Sequence, residues 1–140
     1  MRRIRPISKK RRERNMVARP IRERLIIKAQ QCMVCGHSPK RPWPNLPLEV
    51  SGLSVHEIAR GPLRNKALDQ PCCCLVACWH CNSGILNDKS IWPEARQLAV
   101  LLHEAPDDFD LELYLKITSP NAPLRIEMAE VTQWWKKMYR

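Results

Sequence analysis

The middle of the chain, residues 53–82, reads LSVHEIARGPLRNKALDQPCCCLVACWHCN. Its first six residues, 53–58, predict a short strand because β-branched and apolar side chains recur there. A loop follows, punctuated by Gly61 and Pro62. The apolar stretch from Cys74 predicts a second strand that passes into a helix. These elements predict a small α+β fold.

Two CxxC pairs stand on either side of the first strand: Cys32 with Cys35, and Cys78 with Cys81. A CxxC turn places two thiolates at two corners of a tetrahedron, so two pairs complete a four-sulfur zinc site. Disulfides are the competing use, but the cysteine count of seven is odd and nothing marks secretion. Zinc would stabilise a small core that apolar burial alone cannot close.

Three further cysteines, residues 72–74, precede the apolar run and are expected to be buried thiols. One of them, or His37, could replace a CxxC member as a ligand, and the sequence leaves this alternative open. The segment between the two pairs, residues 36–77, is more than twice as long as the roughly 15–20 residues of an ordinary zinc ribbon. A further structural unit is therefore inserted between the two halves of the zinc site.

The order of these motifs resembles that of the HNH nuclease family. The parts are a CxxC pair, a strand with His and Glu, a Gly-Pro/Arg loop, and a CxxC pair followed by Asn. The resemblance covers roughly residues 1–88. It implies a ββα-metal core, in which a two-stranded hairpin and one helix hold a single cation. The resemblance further implies that a four-cysteine zinc site holds this core together, as in small phage-type members of the family, and that helices flank it.

The resemblance also implies roles for three residues. His56 occupies the position of a cation ligand on the first strand, and Asn82 the position that completes the site at the helix. Glu57 stands where the family has its general-base His. The implied activity is a metal-dependent DNA endonuclease or nickase that hydrolyses phosphodiester bonds with Mg²⁺ or Mn²⁺, the base activating water and the cation stabilising charge on phosphate.

The Glu at position 57 departs from the family pattern. A carboxylate is a weaker base than imidazole, with a reference pKa of about 4.3. The roles could be exchanged, with Glu57 on the metal and His56 as base, but neighbours on a regular strand point to opposite faces. Both could then serve one cation only at a strand end or a bulge. The remaining alternative is a degenerate site in a zinc protein that binds nucleic acid and assists recombination or packaging.

The positive charge of the chain is concentrated near its N-terminus. The formal net charge is +10, and residues 1–28 carry the whole excess. A basic arm on a neutral body is typical of proteins that bind the phosphate backbone, so DNA is the predicted partner. Membrane-surface binding is the weaker rival, because no apolar face precedes Ile21. The side chains expected to contact DNA are Arg2, Arg3, Arg5, Lys9, Lys10, Arg11, Arg12 and, as the resemblance implies, Arg64.

The chain is expected to divide into three segments. Residues 1–19 predict a disordered basic arm, and residues 20–90 the zinc-stapled domain, which begins with a helix at Pro20. Residues 91–140 predict a helical extension that packs on this domain and could dock a protein partner.

Within the extension, residues 91–105 and 126–139 predict helices. Apolar residues alternate over 109–115, which predicts a strand, although the same residues are compatible with a short helix.

No stretch approaches the 18 apolar residues of a transmembrane helix, and no apolar segment follows the basic N-terminus at once. We therefore expect neither a membrane span nor a secretory signal, and a cytoplasmic, reducing location. The oligomeric state has no signature in the sequence.

Overall fold

The computed structural model describes residues 6, 8–38, 52–59, 64–122 and 124–140, and of residues 64 and 65 the backbone alone. Within these ranges the chain is a small mixed α+β structure, as predicted. Short 3₁₀ turns accompany the helices at Pro71–Cys73 and Ile85–Asn87. The strands are β1 (Leu53–Glu57) and β2 (Cys74–Cys78), and the helices are α1 (Lys9–Ala29), α2 (Arg64–Ala67), α3 (Trp79–Ser83), α4 (Glu94–Glu104), α5 (Leu111–Thr118) and α6 (Met128–Tyr139).

The two strands form an antiparallel pair at the centre of the molecule. Leu53 lies opposite Cys78, and Glu57 lies opposite Cys74. All five residues of β2 are buried, which shows that the hairpin is covered on both faces. Helix α1 packs on one face, and α3 and α4 pack on the other. The strands and the helix predicted after them are confirmed.

Helix α1 is longer than the sequence suggested, and the prediction of a disordered arm is wrong for residues 9–19. The Ser8 hydroxyl caps the helix by accepting the N–H of Arg11 at 3.2 Å. Arg, Lys, Glu and Ala all have good helix propensity, and buried Ala18 and Ile26 fix the helix against the core. The first five residues and residue 7 lie outside the described ranges.

Pro20 lies inside α1 rather than at its start, so the predicted helix boundary is wrong. A proline in a helix removes one N–H donor, here the partner of the carbonyl of Met16. Met16 and Pro20 are both exposed, so water can satisfy that carbonyl.

The C-terminal third contains the two predicted helices, α4 and α6, with Pro93 at the N-cap of α4. The strand predicted over 109–115 is wrong, and the short-helix alternative is right. Asp110 caps α5 by accepting the N–H of Leu113 at 3.0 Å. The buried residues of α5, Tyr114, Leu115 and Thr118, follow helical spacing, whereas a strand would direct alternate residues to opposite faces.

One continuous set of buried side chains joins the hairpin to the surrounding helices, including Ile26, Leu75, Leu98, Tyr114 and Val131. The C-terminal helices therefore share their core with the hairpin. None of the described helices has the length and apolar character needed to cross a bilayer.

Candidate metal sites on the hairpin

The four CxxC sulfurs meet where β2 passes into α3. All four Sγ atoms lie within 4.8 Å of one another, and Cys35 Sγ is 3.7 Å from Cys78 Sγ. A tetrahedral zinc ion with Zn–S bonds of about 2.3 Å separates its sulfurs by about 3.8 Å. The cluster formed by Cys32, Cys35, Cys78 and Cys81 therefore has the donor set and spacing of a zinc-type site.

Local backbone geometry builds this cluster. The N–H of Gly36 donates to the carbonyl of Cys32 at 2.9 Å, and the N–H of Cys35 donates to Cys32 Sγ at 3.5 Å. Gly36 has a φ of +76°, in the left-handed region that glycine adopts without a steric cost. Cys78 ends β2 and Cys81 lies in the first turn of α3, so the second pair is positioned by the hairpin itself.

The thiols of this cluster differ in how their surroundings affect ionisation. Burial alone raises the pKa of the Cys32 thiol, but backbone N–H groups of Cys35, Cys78 and Val34 that face its sulfur lower the net pKa below the ordinary value. Burial raises the pKa of Cys81, and the neighbouring Cys78 thiol raises it further. Four thiolates this close repel one another, so a divalent cation is the natural counter-charge.

The three remaining cysteines lie apart from this cluster and are buried, as predicted. The Sγ atoms of Cys72 and Cys73 are 3.7 Å apart, and Cys74 Sγ donates to the carbonyl of Ala67 at 3.5 Å. Burial raises the pKa of Cys74 to about 12. Among the described residues, neither these cysteines nor His37 replaces a CxxC member in the cluster.

His56 and Asn82, the two residues that the resemblance assigns to a cation, are in direct contact. His56 Nδ1 on β1 and Asn82 Oδ1 on α3 are 3.0 Å apart. The second ring nitrogen, Nε2, lies 3.0 Å from Oε1 of Gln97 on α4. His56 is 6% exposed and Gln97 is 1% exposed. The imidazole therefore lies in a buried polar pocket between β1, α3 and α4.

The partners of Gln97 fix which ring nitrogen of His56 carries a proton. Gln97 Nε2 donates to the carbonyl of Trp92 at 2.9 Å, which leaves its Oε1 facing the imidazole. Because an amide oxygen can only accept, His56 Nε2 must donate to it. In a neutral ring, the lone pair is then on Nδ1.

Asn82 has a second hydrogen-bond partner on the side away from His56. Ser54 Oγ donates to the carbonyl of Ala77 at 3.4 Å and accepts from Asn82 Nδ2 at 2.7 Å. Asn82 Oδ1 is thereby directed at His56 Nδ1. With Asn82 in this orientation, two acceptors face each other at 3.0 Å, and a proton or a cation between them would satisfy both.

Either a second ring proton or a cation can supply that positive charge. Adjacent ligands of an octahedral cation with bonds of about 2.1 Å are about 3.0 Å apart, which is the separation of His56 Nδ1 and Asn82 Oδ1. An imidazole and an amide oxygen suit Mn²⁺ and, less strongly, Mg²⁺. The 3.0 Å separation is thus compatible with a shared cation and equally with a hydrogen bond between the two side chains.

Glu57 does not join His56. Its Oε1 accepts from Arg22 Nη1 of α1 at 2.7 Å, while Arg22 Nη2 donates to the carbonyl of Val55 at 3.0 Å. The carboxylate is 5% exposed. β1 is regular and alternates between faces, so Glu57 lies on the α1 side of the hairpin and His56 on the α3 side. No bulge brings the two side chains together, which the exchange of roles would require.

The predicted DNA-contacting residues are only partly described. Arg2, Arg3 and Arg5 lie outside the described residues, as does the side chain of Arg64. The others lie on the exposed first turns of α1: Lys9, Lys10, Arg11 and Arg12. Helix α1 as a whole carries nine Lys and Arg but only two Glu, so it has a large net positive charge.

Gln97 and Arg22 belong to the polar contacts of the hairpin, although no sequence motif predicted them. Gln97 falls among the apolar residues of α4, between Ala95 and Leu98, and a polar side chain on such a face is the signal that marks it. Arg22 carries no signal of its own, because arginine is abundant throughout α1.

No protein-family model matches the chain, and neither a curated protein nor a solved structure is significantly similar to it.

Proposed function

We propose that this protein is a zinc-stapled, metal-dependent DNA endonuclease or nickase with an HNH-like site. The observation that carries the proposal is the 3.0 Å contact between His56 Nδ1 and Asn82 Oδ1, on the same hairpin as a cluster of four cysteine sulfurs. In this proposal the cysteines hold a structural zinc ion. His56 and Asn82 hold Mg²⁺ or Mn²⁺.

The bound divalent cation would stabilise the charge that develops on phosphate and on the leaving oxygen. His56 is oriented for this role by Gln97, which holds the Nε2 proton and leaves Nδ1 as the ligand. Asn82 is oriented by Ser54. These contacts support a pair of ligands that is already oriented before the cation binds.

Glu57 is the proposed general base, by its position in the motif. Its carboxylate is held by Arg22 on the face of the hairpin opposite His56. Catalysis by Glu57 therefore requires the guanidinium to move to a DNA phosphate and the end of β1 to turn the carboxylate toward the cation. Arginine binds phosphate as readily as carboxylate because its planar fork matches both groups. Helix α1 would thus deliver DNA and release the base in one step.

Plasmid nicking by the zinc-loaded protein in Mg²⁺ or Mn²⁺ tests the proposal. We expect His56→Ala and Asn82→Ala to lose at least ~100-fold in rate. Glu57→Gln should lose a similar factor, typical of a missing general base, yet still bind Mn²⁺. His103→Ala is the matched control, because His103 is exposed on α4 and stacks on Tyr139. Equal cleavage by wild type and His56→Ala would contradict the assignment of His56 to the catalytic site.

A second candidate function is DNA binding without cleavage, in recombination or packaging. The observation that favours it is the ion pair between Glu57 and Arg22, which keeps the carboxylate away from the His56 pocket. This candidate predicts binding that weakens steeply with salt and survives His56→Ala. Wild-type protein that contains zinc, binds DNA and does not nick it would favour this function over the first.

A further inference from the structure

A basic cleft separates α1 from β1, on the side of the hairpin away from the His56 pocket. Its volume is 560 Å³, within the roughly 300–1,000 Å³ range of small-molecule sites. Most of its polar lining comes from α1, and a single tryptophan stands at its edge. The polar and aromatic lining residues available to a ligand include Arg11, Asn15, Arg19, Arg22 and Trp79.

Trp79 is the unusual member of this lining. It is 75% exposed, although it is the first residue of α3 and directly follows a cysteine of the sulfur cluster. Cys78 and Cys81 hold the backbone on either side of it, and its own N–H donates to the carbonyl of Gly52 at 3.2 Å. The indole is therefore a large aromatic surface on a fixed backbone, presented to solvent beside arginines.

The charges of the cleft suit an anionic ligand. Glu23 pairs with Arg19 at 3.1 Å and Glu57 pairs with Arg22 at 2.7 Å, so each acidic group in the lining has an arginine partner. Arg11 adds further positive charge at the same face of α1. Asn15, one turn from Arg11, offers an amide that can donate to and accept from the edge of a base.

We propose that this cleft binds an unpaired nucleotide of a DNA strand, with its base stacked on Trp79 and its phosphates on Arg11 and Arg19. Stacking on an aromatic side chain needs an exposed face of the base, which a paired and stacked duplex does not offer. The protein therefore prefers single-stranded or locally unpaired DNA over duplex. This inference rests on the proposed function only in taking DNA as the partner.

Binding of a fluorescent 15-nucleotide oligo(dT) and of a 15-base-pair duplex at one salt concentration tests the inference. Trp79→Ala should weaken binding of the single strand at least ~5-fold and leave duplex binding within ~2-fold. Trp79→Phe, which keeps an aromatic face, should retain most of the affinity. Leu124→Ala is the control, since Leu124 is 80% exposed and lies outside the cleft lining.

Fluorescence of the intact protein gives a second readout that does not depend on the folding of the Trp79→Ala protein. Oligo(dT) should quench wild-type tryptophan emission, and this quench should be absent from Trp79→Phe. Unchanged single-strand affinity in Trp79→Ala overturns the inference, as does an equal loss for both DNA forms. So does a wild-type protein that binds neither form.

The nicking assay is independent of this result. If Trp79→Ala loses single-strand affinity but wild type and His56→Ala nick equally, the nuclease proposal fails and the nucleotide cleft stands. If His56→Ala abolishes nicking while Trp79→Ala binds oligo(dT) like wild type, the cleft inference fails alone.

Discussion

The sulfur cluster and the His56 pocket lie on the same hairpin but are assembled in different ways. Each pair of sulfurs comes from one tight turn, with Cys32 and Cys35 in one and Cys78 and Cys81 in the other. The His56 pocket instead gathers single side chains from β1, α3 and α4. A locally encoded site is fixed by the spacing of its motif, whereas a site built from distant elements depends on the packing of the whole core.

The largest effect should come from removing the metal of the sulfur cluster. Zinc binding to such sites contributes about 10 kcal/mol or more to folding, and the small core has few large side chains to replace it. We expect Cys78→Ser, or chelation of the wild-type metal, to abolish zinc binding and unfold the hairpin. Metal analysis and circular dichroism check this outcome.

Cys72→Ala is the matched control for the cysteine prediction. Cys72 is buried but lies outside the four-sulfur cluster, so its loss should cost only about 1 kcal/mol and leave the zinc content unchanged. A metal-free wild-type protein with an unaltered melting temperature would show that the cluster is not a structural zinc site.

The next largest effect should come from Arg22, on the α1 side of the hairpin. Arg22→Met leaves a 5% exposed carboxylate at Glu57 without its guanidinium, and we expect a loss of about 3 kcal/mol. Urea unfolding of the single and double variants measures it. Adding Glu57→Gln to Arg22→Met should recover part of the loss, because the buried group is then neutral. Equal stabilities of Arg22→Met and wild type would show that the pair contributes nothing.

The same contrast explains how far the sequence predicted the structure. The cysteine ligands follow from their spacing, and the strands from their composition, because both signals are local. That Glu57 turns to Arg22 depends on the position of α1, and the charge density of residues 1–19 predicted a disordered arm there. Charge density alone does not reveal that Ala18 and Ile26 are buried on that helix.

The candidate site was predicted in part for the same reason. His56 and Asn82 were placed together by a resemblance in motif order, and the structure brings them into contact. Gln97 is more than 40 positions from His56 along the chain, and no motif spans that distance. The apolar alternation over residues 109–115 predicted a strand where α5 forms. The helix is stabilised there by the N-cap of Asp110 and by burial of Tyr114.

A smaller loss is expected when Gln97 is replaced. Gln97→Leu keeps the approximate volume but removes the donor to the Trp92 carbonyl and the acceptor for His56 Nε2. We expect a loss of about 2 kcal/mol in the free energy of unfolding. Nitrogen chemical shifts of the imidazole should also change, because the proton on Nε2 loses its partner. Gln133→Leu, the same change at an exposed position of α6, should stay within about 0.5 kcal/mol of wild type.

The smallest effect concerns Glu94, one helical turn before Gln97 on α4. Arg125 donates to its two carboxylate oxygens at 2.9 and 3.0 Å, and the Tyr114 hydroxyl also donates to it. Burial alone raises the pKa of Glu94, but these hydrogen bonds lower it more, so its net pKa lies below the ordinary value. These contacts hold the helix that carries Gln97, so their loss in acid should loosen the His56 pocket.

Because the folded-state pKa of Glu94 is depressed, its stabilisation is present above the unfolded-state pKa of about 4.3 and is lost as the pH falls through the lower folded-state value. We expect Glu94→Gln to be about 1 kcal/mol less stable than wild type at pH 6, and this gap to close in acid. Urea unfolding of both proteins at pH 6 and pH 3 measures the gap, and other carboxylates cancel in the comparison. A gap that is equal at both pH values would mean that the charge on Glu94 does not hold α4 in place.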